Sequence, residues 1–210
     1  MMQKRRIAVN LNVINNVPNI EATLNQFPDG SVTLTLKEKT QKTLGQVKPG
    51  DVVKLGEREY IVLEHDTGTT AVITKDYTTT MAFGDNNDYK ISKVREYCNT
   101  TFYNELVKTV GANNVFKHKV ELIADDGTNK NVVCFDNVSI LTTELYRKYR
   151  QYIPEYDRWW WTVTPASSTV KDYISHVCCV TTSGMINWDN CDCIYDVRPF
   201  CVLSSSVLVS

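Results

Sequence analysis

Arg158-Trp159-Trp160-Trp161-Thr162-Val163-Thr164-Pro165 opens the stretch on which the reading of this chain turns, and Tyr195-Asp196-Val197-Arg198-Pro199 closes it. All four tryptophans lie in this C-terminal quarter, with five of the seven cysteines: Cys178, Cys179, Cys191, Cys193 and Cys201. The charge pattern changes where it begins. Lys, Glu and Gln together number 29 in residues 1–155 and one, Lys171, in residues 156–210. Between the two flanking segments run Tyr173-Ile174-Ser175-His176-Val177-Cys178-Cys179 and Asn187-Trp188-Asp189-Asn190-Cys191-Asp192-Cys193. These small, polar and aromatic residues have neither the period of a core helix nor the charge of a solvated one. They read as a recognition surface.

Working outward, 210 residues suffice for one sizeable domain with a small appendage. Apolar content of 42%, charged content of 22% and a net charge of -1 describe an ordinary globular protein. That balance lacks the basic footprint phosphate binding needs, so nucleic acid is not an expected partner. Met1-Met2-Gln3-Lys4-Arg5-Arg6 is basic, but Ile7-Ala8-Val9-Asn10-Leu11-Asn12 alternates with polar residues. No apolar run is long enough for a secretory leader or a membrane span, so folding in a cytosol without membrane insertion is expected. An odd number of cysteines at irregular spacing argues for free thiols over a disulfide framework.

Residues 7–14 and Ser31-Val32-Thr33-Leu34-Thr35-Leu36-Lys37 alternate with period two, and Phe27-Pro28-Asp29-Gly30 is a turn signal. Residues 1–45 are therefore expected to form a β-rich arm, with the main domain over 46–210. From Asp51, short β-branched runs separated by Gly and Asp predict hairpins through Lys75. Gly84 to Asp88 is a loop. Ile91, Val94, Tyr97, Cys98, Phe102, Leu106 and Val110 recur at helical spacing and Gly111 stops them. Ser139 to Tyr152 predicts a second amphipathic helix, capped by Thr142 or Thr143 and closed before Pro154.

A family resemblance rests on five segments in order: Gly50-Asp51-Val52-Val53-Lys54-Leu55, Tyr97-Cys98-Asn99-Thr100-Thr101-Phe102, Val138-Ser139-Ile140-Leu141, Trp160-Trp161 with Pro165, and Val197-Arg198-Pro199. Together they resemble a domain of unassigned function from Gram-positive bacteria and their phages. That domain is similar to the C-type-lectin-like fold of formylglycine-generating enzymes and of phage receptor-binding proteins diversified by retroelements. The resemblance covers about residues 48–203. It implies an α+β, C-type-lectin-like fold with short strands, two main helices and a loop-rich C-terminal half. Thr162-Val163-Thr164, Asp196 and Phe200 depart from the family pattern, so the ligand of its Arg is not carried over.

Residues 162–210 draw on a restricted alphabet. Only Lys171, Met185 and Trp188 fall outside the residue types reached by randomising the first two bases of an Asn codon ending in C. Retroelement diversification acts on adenines in this way, and the resemblance puts the variable region here. Tyr and Trp supply contact area at low entropic cost, and Ser, Asn and Gly supply adaptable hydrogen bonds. The expected displayed face is Tyr173, Ser175, His176, Asn187, Trp188, Asp189, Asn190, Asp192 and Tyr195. Trp160, Trp161, Arg198 and Pro199 are expected as framework, with Arg198 paired to Asp157 or Asp196.

Metal chemistry is weakly supported. Trp188-Asp189-Asn190 with Asp192 and Asp196 supplies too few oxygens for calcium. His176, Cys178, Cys179, Cys191 and Cys193 lack the spacing of zinc knuckles. The expectation is a non-enzymatic binding protein without metal or cofactor. It would be a phage virion component that binds a host-surface protein or glycan and docks to other virion proteins through its arm, as a homo-oligomer that fibre analogy makes trimeric. A bacterial adhesion module and a formylglycine-generating-like copper oxidase using Cys191, Cys193 or Cys201 are the alternatives. If the quarter is diversified, its gene should carry Asn-type codons ending in C at many of these positions. Sequencing that finds mixed third bases there would contradict the reading.

Overall fold

A computed structural model describes residues 20–38, 41–128 and 132–209. The chain separates into two compact units, Met1–Gln41 and Lys42–Ser210. In the first, β1 (Ile20–Gln26) and β2 (Val32–Glu38) form an antiparallel hairpin in which Leu24 faces Leu34 and Ala22 faces Leu36. Its turn is closed by Asp29, whose Oδ1 accepts from the Ser31 N–H at 2.8 Å. Leu24, Val32, Leu34 and Leu36 share one face by strand alternation and all are exposed. An isolated two-stranded hairpin is marginal in water, so this apolar face is its outstanding feature. The alternation at residues 7–14 lies outside the described residues.

The second unit opens with β3 (Lys42–Thr43), β4 (Val52–Leu55), β5 (Arg58–Asp66), β6 (Thr69–Thr74) and β7 (Thr79–Ala82). A continuous helical segment follows: α1 (Lys93–Tyr97), a π turn (Cys98–Phe102) and α2 (Tyr103–Val110). Ser92 caps its start by accepting from the Arg95 N–H, and Gly111 ends it at φ +84°. Then come β8 (Val115–Phe116), β9 (His118–Glu121), β10 (Val133–Asp136), β11 (Val138–Ser139) and α3 (Thr143–Tyr149), with Thr142 as N-cap. The C-terminal quarter is β12 (Trp160–Pro165), β13 (His176–Val180), β14 (Ile186–Asn190), β15 (Ile194–Val197), β16 (Phe200–Ser204) and β17 (Leu208–Val209).

Two sheets dominate this unit. One runs β11-β16-β6-β5-β4, with β8 also on β16, and the other runs β14-β13-β12-β15-β7. Within the second, only the β12–β15 pair is parallel. The expected α+β, C-type-lectin-like class is overturned: strand accounts for 42% and helix for 20%, spread over several small sheets. The quarter expected to be loop-rich carries six strands instead. A segment poor in Lys, Glu and Gln but rich in Val and Cys lacks helix formers, and its β-branched residues suit a pleated surface.

Strand alternation sends Trp160 and Trp161 to opposite faces of β12. Trp161 joins the larger core with Phe83, Tyr89 and the helical segment, and Trp160 joins Ile61, Leu63, Ile73, Tyr146 and Phe200. Of the passages that link the two sheets, those from β6 to β7 and from β15 to β16 are bonded together. Thr74 N–H donates to the Pro199 carbonyl and Thr78 N–H to that of Val197, each at 3.0 Å. Arg198 lies in this junction, 1% exposed. Its Nη2 donates to the carbonyls of Thr74 (3.1 Å) and Lys75 (2.8 Å), and its guanidinium lies 5.1 Å from the Trp160 ring and 5.0 Å from that of Tyr156.

The expected pairing of Arg198 with Asp157 or Asp196 is not found. Asp196 instead lies 2.9 Å from Arg158 Nε, and the buried cation is held by carbonyl dipoles and aromatic faces. Burial lowers the Arg198 pKa to about 10, so it stays charged at neutral pH. Arg198→Ala strips a buried carbonyl, Thr74, and a part-buried one, Lys75, of their donor and opens a gap between two rings, and should cost about 3 kcal/mol or more in guanidinium unfolding. Lys cannot span both carbonyls and both rings, so Arg198→Lys should restore less than half of that loss. Equal stability of the Ala variant would remove Arg198 from this role.

Candidate functional site

The β13–β14 hairpin sits at one edge of the five-stranded sheet and carries most of the residues singled out for display. Its register pairs His176 with Asn190, Val177 with Asp189, Cys178 with Trp188 and Cys179 with Asn187. Directly paired residues share a face, so the hairpin divides these side chains between two faces. His176, Trp188 and Asn190 point to one side; Asn187 and Asp189 point to the other.

On the first side Tyr173, His176 and Trp188 form a three-ring cluster. Trp188 stands edge-on to Tyr173 at 5.0 Å and to His176 at 5.1 Å, and Tyr173 lies 5.6 Å from His176. Such tilted geometries are the favoured ones for aromatic pairs. Trp188 nevertheless remains 44% exposed and Tyr173 38%. The loop bearing Tyr173 is pinned by a buried residue of another segment: Asn87 Nδ2 donates to the carbonyls of Ser167 (2.8 Å), Tyr173 (3.1 Å) and His176 (3.2 Å). At the far end of the hairpin, Tyr146 of α3 donates its hydroxyl to the Gly184 carbonyl at 2.8 Å. Gly184 has φ +72°, and a Cβ there would collide with the Arg150 guanidinium.

The second side is built around Tyr195, whose ring lies between Trp161 (4.7 Å) and Trp159 (5.4 Å). Its hydroxyl donates to Asp189 Oδ2 at 2.6 Å. That bond holds the Asp189 carboxyl below the usual carboxylate range, while burial and the same carboxylate push the Tyr195 phenol up. Asn187 is exposed beside them. Ser175, Asn190 and Asp192 line a cleft of about 340 Å³ with Asp85 and Lys93, next to the aromatic cluster: Asn190 is the cross-strand partner of His176, and Ser175 Oγ lies 3.5 Å from His176 Nδ1. The candidate residues thus form an aromatic face, a hydrogen-bonded Asp–Tyr face and a polar cleft.

Alternation also separates Cys178 from Cys179, so the imagined His–Cys zinc set does not converge. Among the described residues no group of three or more His, Cys, Asp or Glu side chains is placed to hold a metal ion. Burial raises the pKa of all seven thiols, to about 12 for Cys178, Cys179 and Cys201. They are held protonated, the opposite of what a thiolate nucleophile or ligand needs.

Asn87, Tyr156 and Trp159 are the supporting residues that sequence reasoning passed over. Asn87 sits in a run, Asp85-Asn86-Asn87-Asp88, whose members look alike, and nothing in the sequence marks the one that is buried. Trp159 was visible as part of the tryptophan run, and strand alternation was the signal that puts it beside Tyr195.

A family model for a domain of unknown function (DUF6273) matches residues 110–205, which takes in the β13–β14 hairpin, Tyr195 and Arg198. No curated protein and no solved structure matches the chain.

The Asp189–Tyr195 bond has a pH signature. A carboxyl whose folded pKa lies below its unfolded value contributes stability above the unfolded value, and that contribution is lost as pH falls through the folded one. Carboxyl NMR titration should show Asp189 titrating below an ordinary Asp in the native chain and moving upward in Tyr195→Phe. An unchanged midpoint in that variant would assign the shift to another cause.

Proposed function

We propose that this protein is a non-enzymatic ligand-binding protein, a phage virion component whose C-terminal quarter engages a protein or glycan on the host surface. The observation that carries the reading is the Tyr173–His176–Trp188 cluster: three rings fixed against one another, yet with Trp188 and Tyr173 left more than a third exposed. Folding gains little from rings held open to water. Binding gains a pre-ordered aromatic anchor, the kind of residue that dominates interface energetics. Beside it lie Ser175, Asn190 and Asp192, short polar side chains that hydrogen-bond without much entropy to lose, and Asn187 adds another on the opposite face of the same strand. The restricted residue alphabet of positions 162–210 fits a face varied against changing ligands.

Attachment is assigned to the hairpin of the first unit, whose exposed Leu24, Val32, Leu34 and Leu36 suit docking to another virion protein. Among the described residues no helix is long and apolar enough to cross a membrane.

Fluorescently labelled protein, incubated with a panel of Gram-positive cells and with a glycan array, tests the proposal. Tyr173→Ala combined with Trp188→Ala should lower binding at least tenfold while the melting temperature stays within a few degrees of the native value. Binding that survives the double replacement would move the site elsewhere.

A further inference from the structure

β14 is an edge strand, and its backbone shows how that edge can be closed. Thr181 N–H donates to the Met185 carbonyl and Cys191 N–H to that of Ser175, so the hydrogen-bonded pairs of the β13–β14 ladder fall at residues 185, 187, 189 and 191. The N–H and C=O groups of 186, 188 and 190 therefore point away from the sheet. Those of Asn190 are already used: its N–H bonds Asp189 Oδ1 and its carbonyl accepts from Cys193. Those of Ile186 and Trp188 have no partner among the described residues.

We propose that β14 pairs antiparallel with β14 of a second copy of this chain, about a twofold axis at Asn187. Ile186 then faces Trp188 of the partner copy, and each such pair exchanges two N–H···O=C bonds. Four bonds form, and all eight open groups are satisfied. Neighbouring registers do worse. Centring the axis on Trp188 sets Ile186 against the occupied groups of Asn190, and centring it on Ile186 leaves Trp188 opposite the turn at Gly184. The chosen register also suits the side chains. The two Asn187 amides meet at the axis and can bond each other, Trp188 packs across Ile186, and Asp189 faces Met185 rather than another carboxylate. β14 carries no Lys, Pro or bulge to keep another strand away, and its one charge, Asp189, is bonded to the Tyr195 hydroxyl.

A twofold between antiparallel strands of one sheet runs perpendicular to it, so the same face of both copies looks outward. The two Tyr173–His176–Trp188 clusters come to lie on one side, with their tryptophans on the diagonal positions of adjacent strands, about 7–8 Å apart at the backbone. A single platform of six rings results, which neither copy has alone. Use of that platform for binding rests on the function proposed above; the pairing does not.

Sedimentation velocity of the full chain over rising concentration tests the pairing. The native chain should pass from 23.9 kDa to twice that mass. Asn187 is exposed, so Asn187→Asp and Asn187→Lys should fold normally, yet each places like charges at the axis and should weaken self-association at least tenfold. An equimolar mixture of the two variants should restore the dimer. A native chain that stays monomeric or forms a trimer, or an Asn187→Asp variant that dimerises as before, would overturn the proposal. A monomeric native chain that still binds cells through Trp188 would remove the dimer and leave the binding face standing. A dimer indifferent to Trp188→Ala in cell binding would do the reverse.

Discussion

A buried guanidinium holds the two main sheets of this protein together. Two of the passages that link the sheets, β6 to β7 and β15 to β16, touch at Arg198, which is bonded to the carbonyls of Thr74 and Lys75 and enclosed by Trp160 and Tyr156. A charge placed so deeply is usually matched by an acid; here the compensation comes from carbonyl oxygens and ring faces. That choice ties the cation to main chain of the other crossing, which fixes the relative position of the sheets more firmly than a side-chain carboxylate would. Asp196, one residue pair away, is left to Arg158, and burial raises its carboxyl above the usual range even so.

From this junction the order of the five-stranded sheet follows outward. β12 is anchored on both faces by Trp160 and Trp161, β13 is paired along it, and β14 hangs on β13 as the last strand. Both ends of the outer hairpin are secured by distant elements, Asn87 at the Tyr173 loop and Tyr146 at the Gly184 turn. The displayed rings are therefore rigid although exposed, which is the condition for an anchor that loses little entropy on contact.

Much of this was legible in the sequence. Helical spacing from Val94 to Val110, the cap at Thr142 and the β-branched runs after Asp51 locate elements, while Ile91 falls in a separate turn ahead of the Ser92 cap and is exposed. The class was not. The family resemblance implied a loop-rich C-terminal half, whereas Thr, Val, Ile and Cys at those positions find cross-strand partners that only the folded sheet supplies. The division of Asn187-Trp188-Asp189 between two faces was implicit in strand alternation but required knowing that the segment is a strand. No local signal reveals that Arg198 would bond carbonyls more than 120 residues away, or that Asn87 alone of its loop would be buried.

The C-terminal quarter separates into residues the fold needs and residues it merely carries. Saturation mutagenesis of residues 158–204, scored for folding by protease resistance, measures this directly. Tyr173, His176, Asn187 and Trp188 are expected to accept most substitutions within about 0.5 kcal/mol, as surface positions do, while Trp160, Trp161 and Arg198 accept almost none. If polar replacements at Trp188 and Tyr173 unfold the chain as readily as those at Trp160, the cluster is core and the displayed face does not exist.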